Sequence, residues 1–85
     1  MNDKTRHILD TFPDQKHTID LLVAEDPEFL VLCEDHNACV DALRYWVKSE
    51  EPEATIRVKE YRALVRELQD EISQALGALK SPRLN

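Results

Sequence analysis

Two stretches of this chain carry the same apolar rhythm on either side of a short connection. In the first, Phe29, Cys33, His36, Val40, Leu43 and Val47 follow one another by alternating steps of four and three. In the second, Ala54, Val58, Tyr61, Val65, Leu68, Ile72, Ala75 and Leu79 repeat the pattern. Those steps place every named side chain on one stripe of an α-helix, whereas a strand would need alternation by two. They are also the heptad rhythm of paired helices. A short connection makes successive helices antiparallel neighbours. Folding there pairs positions whose numbers add to 101: Val47 with Ala54, Leu43 with Val58, Val40 with Tyr61, His36 with Val65, Cys33 with Leu68 and Phe29 with Ile72. Upstream, Leu22 falls level with Leu79. Every stripe position finds a stripe position, so the pattern predicts a helical hairpin.

Boundary signals agree. In "DPEF", Asp26 suits an N-cap, Pro27 the first helical position and Glu28 the positive end of the helix dipole. A helix over 27–48 follows. "EEPEA", residues 50–54, repeats the device and predicts a helix over 52–79, with Glu53–Arg57 and Arg66–Asp70 at i,i+4. Asp14 as a cap, followed by Ile19, Leu22 and Val23, predicts a helix over 14–25. Ile8, Leu9 and Phe12 fit a short helix over 4–11, closed by Pro13. One Gly and four Pro leave few of the turns that a sheet requires. The expected fold class is therefore all-α. A single domain spans residues 1–85, with a coiled-coil-like antiparallel helical hairpin and an additional N-terminal helix completing a bundle.

A two-helix hairpin cannot bury everything apolar on 27–48. Leu32, Cys39 and Trp46 lie seven apart on one flank of the stripe, and Leu30 lies on the other. Either the N-terminal helix covers one flank or a second copy does. Burying a Leu or Trp contributes roughly 1.5–3 kcal/mol or more. A homodimer is expected, with Leu30, Leu32, Trp46 and Leu76 as the surface offered to a partner.

The densest chemistry is "CEDHNAC", residues 33–39. Within one helix, Cys33 and Cys39 are separated by roughly 9 Å of rise, too far for a disulfide. Cys33, His36 and Cys39 spread over two turns, and a structural metal site wants four ligands in a tetrahedron. No metal site is assigned; these three residues become ligands only if a dimer axis supplies more. Free cysteine otherwise packs as a small hydrophobe. His36 occupies the stripe where an apolar residue would pack better. It is read as a hydrogen-bonded register residue, with Tyr61 as its neighbour, or as a pH switch. His7 and His17 are expected at the surface. There is no phosphate loop, nucleophile elbow or paired-carboxylate cleft, so neither an enzyme nor a cofactor is expected.

The net charge of −6 disfavours nucleic acid and anionic membrane. No apolar run approaches the length of a membrane span, and "MNDKTRHILD" lacks a signal-peptide core. A cytoplasmic location is expected.

"LLVAEDPEFLVLCEDHN", residues 21–37, resembles the YdcH-like family of short bacterial helical-hairpin proteins in Leu22, Glu25, Pro27, Phe29, Leu32, His36 and Asn37. "VKEYRALVRELQDEI", residues 58–72, is similar to the second helix of that family. The likeness covers about residues 17–75. It implies a self-associating helical hairpin and carries no catalytic residue. The functional expectation is a helical protein–protein interaction module. The alternatives are a metal- or redox-responsive sensor using Cys33, His36 and Cys39 at a dimer interface, and an acidic inhibitor of a basic protein site.

Overall fold

The computed structural model describes residues 5–80, and the side chains of residues 5–78. Four α-helices follow in order: α1 (Arg6–Thr11), α2 (Lys16–Glu25), α3 (Pro27–Lys48) and α4 (Ala54–Lys80). Among the described residues there is no strand, so the protein is all-α.

The bend between α2 and α3 is a single residue. Asp26 is extended (φ −127°, ψ 100°), as a residue before proline must be. Its N–H still donates to the Leu22 carbonyl at 2.7 Å, closing α2. Its carboxylate accepts from the backbone N–H of Glu28 at 3.0 Å and of Phe29 at 3.4 Å, opening α3. The expected cap is present, and it serves two helices at once.

The other starts differ from expectation. Asp14 does not cap. Pro13–Gln15 form one 3₁₀ turn, and α2 begins at Lys16 without a side-chain cap. Pro52 lies in the turn before α4, not inside it. That turn is held by its own polar groups. Ser49 Oγ accepts from the Glu51 N–H at 3.1 Å, and the Tyr45 hydroxyl donates to Glu51 Oε2 at 2.7 Å. Arg57 pairs with Glu60 at 2.9 Å, not with the expected Glu53.

The packing is uneven along α3 and α4. Ile8, Ile19, Phe29, Cys33, Ile72 and Leu76 form one buried cluster, drawing on all four helices. Leu9, Phe12, Leu22, Val23, Leu32 and Ala75 close around it. Toward the connection, the stripe residues Val40, Leu43, Val58, Tyr61 and Val65 are only half-buried, and small Ala54 is the buried one. Val47 was expected to face Ala54 inside the seam. It is 56% exposed, because a single methyl group opposite cannot cover it. The expected pairing of Leu22 with Leu79 falls outside the described side chains.

Leu76 is a second correction. It was assigned to a partner-facing surface and is 1% exposed. The N-terminal segment folds over this end, so a position one turn beyond Ile72 becomes core.

Asp26→Ala is expected to lower stability by about 1 kcal/mol, the usual value of an N-cap. Asp14→Ala should stay within about 0.5 kcal/mol, as an exposed substitution without a cap. Urea denaturation of both variants measures the contrast, and equal losses would remove the special role of Asp26.

Candidate functional site

The chemistry-bearing residues separate onto different sides of α3. Cys33 and His36 face inward and are fully buried. Cys39 lies on the flank, half-buried, in a groove between α3 and α4. Among the described residues no three His, Cys, Asp or Glu side chains come together in a way that could hold a metal ion. Within one chain, Cys33, His36 and Cys39 therefore form no shared site.

Neither thiol sits in a setting that favours the thiolate. Burial, and then the charge of Glu34, push the Cys33 thiol up to about 11. Burial and the Asp35 carboxylate raise that of Cys39. Reactive cysteines need the reverse, a cationic or helix-N-terminal setting that favours thiolate.

His36 sits against α4, and its neighbour there is Gln69 instead of the expected Tyr61. The Gln69 side-chain amide donates to His36 Nε2 at 3.1 Å. Gln69 lies one turn beyond the level partner Val65. Side chains lean toward the N-terminus of their own helix, so Gln69 reaches back to the histidine. The other ring nitrogen, Nδ1, is buried without a hydrogen-bond partner among the described residues. With Nε2 accepting, Nδ1 carries the proton and is an unpaired donor. Such a group costs about 1–3 kcal/mol. Protonating the ring would bury two donors, and burial followed by the nearby His7 lowers the His36 pKa accordingly.

His7 is the residue that sequence reasoning misplaced. Expected at the surface, it is 4% exposed and joins α1 to α3. Its backbone N–H donates to Asn37 Oδ1 at 3.1 Å, and its ring Nε2–H donates to Asp41 Oδ1 at 2.9 Å. Arg6 stands 3.8 Å from the same carboxylate. The His7 hydrogen bond, joined by the charges of His7, Arg6 and Arg44, outweighs desolvation and holds the Asp41 carboxyl below its usual value. His17, as expected, is exposed. A signal for the His7 contact was present: Asn37 and Asp41 stand one turn apart, on the Leu30 side of the stripe. They form a polar pair facing the incoming segment.

That docking leaves the other flank open. Leu32 is half-buried against the core, and Trp46 is half-buried with its ring edge-on to Tyr45 at 5.0 Å. Between them lies the groove that contains Cys39, with Ala38, Leu64 and Leu68 beside it and Asp35, Glu67 and Glu71 around it. Leu30 is half-buried on the opposite side. The stripe pattern gave no sign of this groove, because its acids lie outside the stripe on both helices.

Two outcomes follow. Because the folded pKa of His36 lies below its ordinary 6.5, the unfolded chain binds more protons in the interval between them. This histidine's contribution to stability is complete above 6.5 and is lost as pH falls through the folded value. Urea midpoints at pH 8 and pH 5 should differ, and His36→Gln should reduce that difference; an unchanged slope in the variant would remove the assignment. Asp41 acts lower, losing its stabilising charge as pH falls below 3.8. Separately, iodoacetamide at pH 8 should modify Cys39 while Cys33 waits for unfolding. Equal rates, followed by mass spectrometry of digests, would contradict the burial difference.

No known protein family, curated protein or solved structure matches this chain.

Proposed function

We propose that this protein is a non-catalytic, cytoplasmic helical protein–protein interaction module. In this reading α3 and α4 form an antiparallel helical hairpin, the N-terminal segment completes a bundle at one end, and a second copy completes the other. The observation that carries it is the uneven core. All of the large, fully buried side chains lie in or against the cluster covered by α1 and α2. Toward the connection, Tyr45 (58%), Val47 (56%) and Ile56 (60%) are exposed beside half-buried Trp46 and Val58.

Large apolar side chains left exposed at one end of the molecule favour burial against a partner. Trp46, Val47, Ala54 and Val58 already line a common cleft there, with Lys59 and Arg62 at its edge. An aromatic anchor within an apolar patch and a charged rim are the usual anatomy of an interface. Of the residues first assigned to the surface, Trp46 belongs to this patch, and Leu30 and Leu32 lie toward the opposite end. None of the described helices is long and apolar enough to cross a membrane.

Sedimentation equilibrium at micromolar concentration should give a dimer. Val47→Glu with Ile56→Glu should give a folded monomer, with helical circular dichroism retained, because both positions are exposed in the single chain. A wild-type monomer would sink the homodimer reading.

A further inference from the structure

The groove on the open flank of α3 and α4 is separate from the patch at the connection and differs from it in charge. Its volume is about 340 Å³. The floor is apolar: Ala38 and Cys39 from α3, Leu64 and Leu68 from α4. Leu64 is 42% exposed, although it stands beside half-buried Leu68. The rim carries three carboxylates, Asp35, Glu67 and Glu71, and no basic residue lines the site. Among the described residues no salt bridge engages any of the three. The only basic residues that line either cleft, Lys59 and Arg62, are at the connection. The N-terminal segment cannot fill this groove, because its hydrogen bonds to Asn37 and Asp41 hold it on the other side of α3.

We propose that this groove docks a basic amphipathic helix of another protein, with apolar side chains seated between α3 and α4 and Lys or Arg side chains reaching Asp35, Glu67 and Glu71. The inference rests on the reading of the chain as an interaction module and names the class of partner. Two neighbouring helices leave a furrow that a third helix fills with residues at i, i+3, i+4 and i+7. Lysine and arginine beside those anchors would meet carboxylates that have no cation of their own. A second copy is the poorer occupant, since a chain of net charge −6 brings like charge to an acidic rim.

Cys39 makes the groove testable in the full-length protein. The probe is a fluorescein-labelled synthetic helical peptide with Leu at heptad positions a and d and Lys at e and g. Binding is followed by anisotropy, and occupancy by the rate of Cys39 alkylation with iodoacetamide. The peptide is expected to slow alkylation of Cys39. The double variant Glu67→Lys with Glu71→Lys should bind about tenfold more weakly, since each lost or reversed rim charge weakens the complex. Glu50→Lys with Glu53→Lys makes the same change in net charge at the connection and should bind within about twofold of the wild type, as charges away from the site are screened. A peptide with Glu in place of Lys should prefer the Glu67→Lys, Glu71→Lys protein.

Equal weakening by both double variants, or equal binding of a scrambled peptide, would overturn the proposal by reducing it to general charge attraction. So would a Cys39 that is protected before peptide is added and becomes reactive on dilution, which would place a second copy in the groove. That last result would leave the self-association reading standing. A wild-type monomer that binds the peptide as expected would keep the groove and remove the homodimer.

Discussion

Two helices in contact share one seam, and a seam buries only the side chains directly between them. Everything in this structure follows from how the chain handles the apolar groups on either side of it. Over the part of α3 that begins at Pro27, a third layer is available, because Asp26 turns the chain back and delivers Ile8 and Ile19 onto Phe29, Cys33, Ile72 and Leu76. Toward the connection there is no third layer, and residues of the same stripe remain half in water. The same heptad pattern therefore yields a dry core at one end and an open surface at the other.

The N-terminal segment is held by polar contacts as well as by burial. His7 bridges from α1 to Asn37 and Asp41, so the side of α3 that it covers is specified by hydrogen bonds that the opposite flank lacks. The opposite flank offers Asp35 and Cys39 in the equivalent places, one acidic and one weakly polar. A residue placed like His7 would find one acceptor there, for its ring or for its backbone N–H, and lose the other. This difference decides which flank is covered and which is left as a groove.

Much of the architecture was legible in the sequence, for local reasons. The stripe of 27–48, the cap at Asp26 and the helix-initiating Pro27 are short-range signals that tertiary packing did not override. The starts of α2 and α4 were less legible. Asp14 and Pro52 are as compatible with a turn as with a first helical residue, and each turn found its own hydrogen bonds. Leu76 and His7 were misplaced for a different reason. Both depend on where α1 lies across α3 and α4, and a heptad pattern within two helices contains no information about a third. The groove was illegible for another reason: the stripe pattern names the side chains between α3 and α4, not those that flank them. Asp35 on α3 and Glu67 and Glu71 on α4 are ordinary surface acids until the two helices are brought together.

The composition of the core has a bearing on how the chain is made. Ile8 and Leu76 belong to one cluster, yet most of the sequence separates them. Contacts near the connection close a short loop, while those that bury the most close a long one, which costs more chain entropy and forms later. During synthesis Ile8, Ile19, Phe29 and Cys33 leave the ribosome before Ile72 and Leu76 do. Until the second half of α4 has emerged, the most apolar part of the molecule has nothing to close against. This small protein therefore cannot complete its core progressively as it is translated, and its early helices travel with their inner faces uncovered.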